Sequence, residues 1–165
     1  MRNKTLLVLA LLLIGALLAG ASFAIPFDLS ALPEPGPFET YVATKWKRWL
    51  VHRESHTGAS QEPSATSESL TNGQLIFGLQ CGICHGNDGH TPTDIGRAMY
   101  PRVADLGSAE VQHWSDPELF WIVRNGIRLS GMPAFGKQLS NNQIWDLVHY
   151  VRRLQARAQD KRNKY

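Results

Sequence analysis

The chain has 165 residues, 43% of them hydrophobic, with 17 Lys and Arg against 14 Asp and Glu. That length holds one domain of ordinary size beside a short N-terminal segment and is too small for two. The formal charge of +3 is unevenly placed: residues 66–151 carry five basic and eight acidic side chains, while six basic ones crowd into the last fourteen positions, which argues against nucleic acid as a partner.

The chain opens with "MRNKTLLVLALLLIGALLAGASFAIP", where Arg2 and Lys4 precede an apolar run from Leu6 to Ile25 that only Ser22 interrupts before Pro26. Such a run targets a chain to a membrane, with the basic residues inside and everything after Pro26 carried across. Its length, about 20 residues, matches a hydrocarbon core of ~30 Å, whereas a cleaved signal carries an apolar region of roughly 7 to 15 residues. Residues 1–25 are therefore expected to be a signal anchor. Ala19, Ala21, Ser22 and Ala24 offer the competing reading, a signal peptide cleaved near Ala24.

Residues 26–53 combine a stiff break with a helix. "LPEPGP" at 32–37 cannot continue a helix, because its prolines lack amide donors. From Phe38 to about Arg53 the spacing places Val42, Trp46, Trp49 and Leu50 on one helical face and Lys45, Lys47 and Arg48 on the others. This helix suits a membrane surface, where indoles and basic side chains sit at headgroup level; packing against the following domain is the alternative. Residues 54–66, rich in Ser, Thr and Glu, read as a flexible linker.

From Ser67 an amphipathic helix, with Leu70, Gly73, Phe77 and Gln80 on one stripe, runs into "CGICH" at 81–85. The only two cysteines of the chain and a histidine thus share five residues. Three chemistries compete for them. A redox dithiol uses Cys81 and Cys84 but leaves His85 without a task. A structural zinc site needs four ligands, and His90 or His113 would have to complete it at irregular spacing. Covalent haem uses all three residues, with both thiols adding to porphyrin vinyl groups and His85 as proximal iron ligand.

Downstream, "HGNDGHTPTDIGRAMYPRVADLGS" is dense in Gly, Pro and Asp and fits loops that wrap a cofactor. Ser115 with Glu118 forms a capping box at the start of a helix that "NG" at 125–126 ends. Ser140 with Gln143 opens the last helix, which buries Ile144, Leu147, Val148, Val151 and Leu154 at helical spacing. The basic run from Arg152 onward, with 156–165 as a tail, reads as a frayed, solvated helix end. No segment alternates as a strand.

Together these features resemble the class I c-type cytochromes over about residues 67–154. "CGICH" matches the family's haem-attachment motif and "GIRLSGMPAF" at 126–135 its distal loop, which implies Met132 as sixth iron ligand. Gly73 and Phe77 match the helix-contact positions that meet Leu147 and Tyr150 on the final helix. The resemblance also implies a proline carbonyl that holds the proximal histidine, for which Pro101 is the candidate ahead of Pro92. The expected fold is all-α, a small cytochrome c domain over 67–155 around one covalently bound haem c, behind an N-terminal hydrophobic helix.

The implied site comprises Cys81 and Cys84 as thioether carriers with His85 and Met132 on the iron, and no catalytic residue. Met99 and His113 are the alternatives to Met132. With both axial positions filled, the iron has no seat for substrate, which suits electron transfer rather than catalysis at the metal. The expected partners are redox proteins, and the membrane through residues 6–25, with no small-molecule substrate and no nucleic acid. The expected location is the extracytoplasmic, periplasmic face of the cytoplasmic membrane. Two functions follow: a carrier shuttling electrons between membrane or extracytoplasmic enzymes, or the haem-bearing subunit of a larger dehydrogenase or oxidase complex.

Overall fold

The computed structural model describes residues 2–24, 30–58 and 62–163, with side chains described over 4–20, 30–56 and 62–154. In chain order the helices are α1 (Arg2–Ala24), α2 (Pro37–Gly58), α3 (Ser67–Ile76), α4 (Gly82–His85), α5 (Asp94–Ala98), α6 (Ala109–Gln112), α7 (Asp116–Asn125) and α8 (Asn141–Asn163), with a π-helical turn at Phe77–Cys81 joining α3 to α4. There is no strand among the described residues. The chain divides into two compact units, Met1–Ser30 and Ala31–Tyr165.

The first unit is essentially α1, a Leu- and Ala-rich helix with exposed leucines from Leu6 to Leu18. No helix among the described residues is long and apolar enough to cross a membrane. Of the expected span over 6–25, the described side chains end at Gly20 and Ile25 lies outside the described residues, so the membrane-spanning helix is not found within them.

In the second unit α3 crosses α8. The Thr66 hydroxyl accepts from the Ser69 amide at 3.0 Å and starts α3. At Gly73 the two backbones touch: a Cβ there would lie 2.1 Å from the Asp146 carbonyl oxygen and 3.0 Å from the Tyr150 Cβ. Phe77 then packs on Tyr150, ring centroids 5.2 Å apart, with Leu147 and Leu154 buried beside them. The four residues singled out by resemblance are thus brought together. The Ser140 and Gln143 capping box forms in both directions, at 2.9 and 3.3 Å, and α8 buries Ile144, Leu147, Val148, Val151 and Leu154 as its spacing requires.

The pre-domain helix takes the second of its two expected places, packed on the domain, and does so with a face that the spacing did not mark. The aromatic residues Val42 was grouped with, Trp46 and Trp49, are exposed along with Val42 itself, and α2 instead buries Val51 and Ser55 against the domain. Small side chains let α2 approach α7, while the bulky indoles would hold it away. Arg48 lies over the Trp114 ring at 5.0 Å, and His52 Nδ1 meets Glu118 Oε1 at 3.1 Å. Glu118 also accepts from the Ser115 amide and hydroxyl at 2.7 and 2.9 Å. Burial alone would push its carboxyl up, but these bonds from Ser115 and His52 together hold it below the usual range.

The linker at 54–66 is partly helix, since α2 continues to Gly58 with Ser55 buried, while 59–61 lie outside the described residues. The compact unit that contains residues 67–155 also includes α2, which docks on α7. At the other end α8 runs on through the expected tail to Asn163. Arg152, assigned to a solvated end, donates to Asp116 at 2.5 Å and to the carbonyls of Gln112 and Trp114, pinning the turn between α6 and α7.

Candidate haem-binding site

The π-helical turn delivers the chain from the α3–α8 crossing into "CGICH". The extra residue per turn lets the Gly82 amide bond the Phe77 carbonyl and carries Cys81 out of the register an α-helix would give it. Sequence reasoning missed this turn, since an i to i+5 bond has no residue signature of its own. α5 then closes on α4: the Thr93 hydroxyl donates to the Ile83 carbonyl at 2.6 Å, and a Cβ at Gly96 would sit 2.2 Å from the Cys84 carbonyl oxygen. Glycine is required there by the close approach.

The loop before α5 is fixed by Asp88, whose carboxylate accepts from the amides of His90 and Thr91, both at 2.9 Å. Those amide bonds hold its carboxyl below the usual range. His90 itself meets Asp105 Oδ1 at 2.7 Å rather than joining the cysteines. Among the described residues, no three His, Cys, Asp or Glu side chains are grouped to hold a metal ion, so the zinc reading finds no ligand set there.

The distal loop after α7 turns at Gly126, with a φ of 67°, and closes where the Ile127 amide reaches the Met132 carbonyl at 3.3 Å. Ser130 braces it, donating to the Ile127 carbonyl at 2.8 Å and accepting from the Met132 amide at 3.2 Å. The side chain of Met132 is half-buried and packs against the main core.

The attachment turn, the chain after α5 and the distal loop line one cleft with about 1290 Å³ of empty space, part of it open to solvent. Cys81, Cys84, His85, Pro101 and Met132 all line it. Much of the remaining wall is apolar, with Phe77, Leu147 and Val148 from the core among the lining residues. Met99 lines it too, and a Cβ at Gly131 would lie 2.4 Å from the Met99 sulfur; His113 does not. The carbonyl that meets His85 is not that of Pro101: His85 Nδ1 lies 3.1 Å from the Ala104 oxygen. The loop after α5 passes the histidine three residues later than expected, at a position that carries no proline to mark it.

The electrostatics separate the competing chemistries. Cys81 and Cys84 are both free thiols, and burial, then the neighbouring Cys84, pushes the Cys81 thiol up to about 12. A redox dithiol needs a low-pKa attacking thiolate, so this environment opposes one. Burial pushes His85 below its usual value against the opposing effect of the Ala104 bond, which favours the neutral imidazole a metal requires. An apolar cleft with two thiols, a neutral imidazole and a thioether on its walls fits haem: flat, largely apolar, and demanding soft or imidazole ligands on iron.

Comparison with known proteins agrees. Residues 68–151 match the family described as cytochrome c oxidase, cbb3-type, subunit III. A chain of the Kuenenia stuttgartiensis reducing HAO-like protein complex shares the fold, with a TM-score of 0.55 and 22% identity over 59% of this chain. The match spans about half, 49%, of that chain's length. No curated protein matches. A c-type cytochrome domain implies haem-based electron transfer and points to a carrier of electrons rather than a catalytic enzyme. With the family matching half of its length, and the attachment motif and distal loop converging on one cleft, this chain belongs to the cbb3-type cytochrome c oxidase subunit III family of c-type cytochrome domains.

Proposed function

We propose that the chain is a single-haem electron-transfer protein, with haem c bound covalently through Cys81 and Cys84 and its iron between His85 and Met132. The observation that carries this reading is the convergence of those four side chains on one apolar cleft. When bound, the haem supplies a one-electron couple. The chain's residues do the rest. The Ala104 carbonyl accepts from His85 Nδ1–H, fixing the tautomer that leaves Nε2 free. Ser130 and Gly126 hold the loop that presents Met132, whose soft thioether favours the reduced metal. The apolar part of the wall limits the solvent that must rearrange when the charge changes. Mass spectrometry of the mature protein tests the assignment: one haem is expected to be added, retained through acid-acetone extraction. A mature mass without haem overturns it.

A second reading, a haem-bearing subunit of a larger complex, is favoured by the family's description as an oxidase subunit. Co-purification from native membranes separates the two, since a subunit brings stoichiometric partners and a carrier purifies alone.

For location we propose the outer face of a cytoplasmic membrane, with residues 6–25 as anchor. Support comes from the exposed leucines of α1 and from the outer face of α2. There Phe38, Tyr41, Trp46 and Trp49 are exposed, with Lys45 5.8 Å from the Tyr41 ring centre and Arg53 4.7 Å from that of Trp49. Indoles interleaved with cations suit the headgroup layer. Because the inner face of α2 is docked on α7, the domain would be held at the surface rather than swing on residues 54–66. N-terminal sequencing after membrane fractionation is expected to find an uncleaved, membrane-bound chain; a soluble product starting near Ile25 sinks the anchor.

A further inference from the structure

The cleft has a wall that the family match does not contain. Lys47, on α2, lines it beside Cys81, Cys84 and His85, although α2 lies outside residues 68–151. Its position is set by packing rather than by chance. Lys47 is one helical turn before Val51, which is buried in the main core, and two before Ser55, which is 1% exposed. The neighbouring Arg48 rests on Trp114, and His52 on Glu118, so the helix cannot rotate to bring Lys47 into water without breaking all of these contacts.

The charged groups on the cleft wall besides His85 are Lys47, Arg102 and Glu110. Arg102 already has a carboxylate, Glu34, at 2.7 Å. Glu110 is exposed, and it is its main-chain oxygen that meets Arg48, at 3.5 Å. Lys47 is half-buried and has no acidic side chain among the described ion pairs. A partly desolvated ammonium costs free energy unless an anion compensates. The cofactor argued for this cleft brings carboxylates of its own, two propionates.

We propose that Lys47 pairs with a haem propionate, making α2 part of the cofactor site rather than a spacer before it. The inference rests on the haem reading above. Its consequence is electrostatic: adding an electron makes the iron centre less positive, and a fixed cation at its edge favours that state. The pair therefore raises the reduction potential, and it couples the position of α2 to the redox behaviour of the iron. Lys47 contacts the edge of the cofactor in this scheme and is assigned no place on the iron.

The test uses the full-length holoprotein and its Lys47→Gln and Lys47→Arg variants, with Lys137→Gln as a control for loss of one exposed charge. Haem content is measured first by pyridine haemochrome; a wild type without covalent haem overturns the haem reading and the pairing that rests on it, whereas bound haem with no effect of Lys47 overturns the pairing alone. With haem present in every variant, Lys47→Gln is expected to lower the midpoint potential and shift the propionate bending band in resonance Raman spectra. Lys47→Arg is expected to restore both, and Lys137→Gln to leave the band in place. An unmoved band in Lys47→Gln overturns the pairing, even if the potential falls, because the lysine would then act only through its field.

Discussion

Met132→Ala is expected to lower the haem midpoint potential by on the order of 0.1 V, a modest part of the roughly 0.8 V over which axial ligands move haem iron, and to abolish the methionine-to-iron absorption band at the red end of the spectrum. The thioether is the soft ligand of the pair, and its loss leaves the reduced iron with nothing that preferentially stabilises it. The structure adds a control that the sequence alone could not rank. Met99 lines the same cleft and packs at Gly131, beside the distal loop. Met132, however, is the methionine that the Ser130 brace and the Ile127 bond present on a defined loop. Met99→Ala is therefore expected to keep both the band and the potential. If Met99→Ala removes the band and Met132→Ala leaves it, the sixth ligand is Met99.

What was legible in the sequence was whatever depends on residues close together in the chain. The capping pairs Ser115 with Glu118 and Ser140 with Gln143 fix two helix starts through local bonds, and both form. The haem-attachment cluster is local in the same sense. What was illegible depends on docking between distant segments. The spacing of α2 shows one face with Val42, Trp46 and Trp49 and another with Val51, and hydrophobicity alone chooses the first; the fold buries the second, since a close helix contact needs small side chains. The carbonyl for His85 failed for a related reason. Any residue has a carbonyl, so the position that meets the imidazole, Ala104, follows from the path of the loop and not from residue type. Lys47 is the clearest instance: in sequence it is one of three cations flanking two tryptophans, and only the docking of α2 places it at the cleft.

Gly73→Ala is expected to destabilise the domain by about 2 kcal/mol, within the range for overpacking a tight contact, and to lower Tm by roughly 8 °C at ~4 °C per kcal/mol. In an open helix the same change is favourable by about 1 kcal/mol, because alanine is the better helix former. Here the added methyl would lie 2.1 Å from the Asp146 oxygen and 2.7 Å from its carbonyl carbon. Both are backbone atoms in the middle of α8, so no side chain can swing aside. The helices must separate, and separation opens the cluster of Phe77, Leu147, Tyr150 and Leu154 that the crossing closes. Because that cluster supports the turn carrying Cys81, the loss should extend to the haem site as a broadened iron spectrum while the thioethers stay intact. Gly78→Ala, five residues on, is the internal control: nothing lies within 4 Å of its Cβ position, so it should melt at or above the wild type, by up to about 4 °C. Equal melting of Gly73→Ala and Gly78→Ala would show that α3 and α8 do not meet backbone to backbone at residue 73.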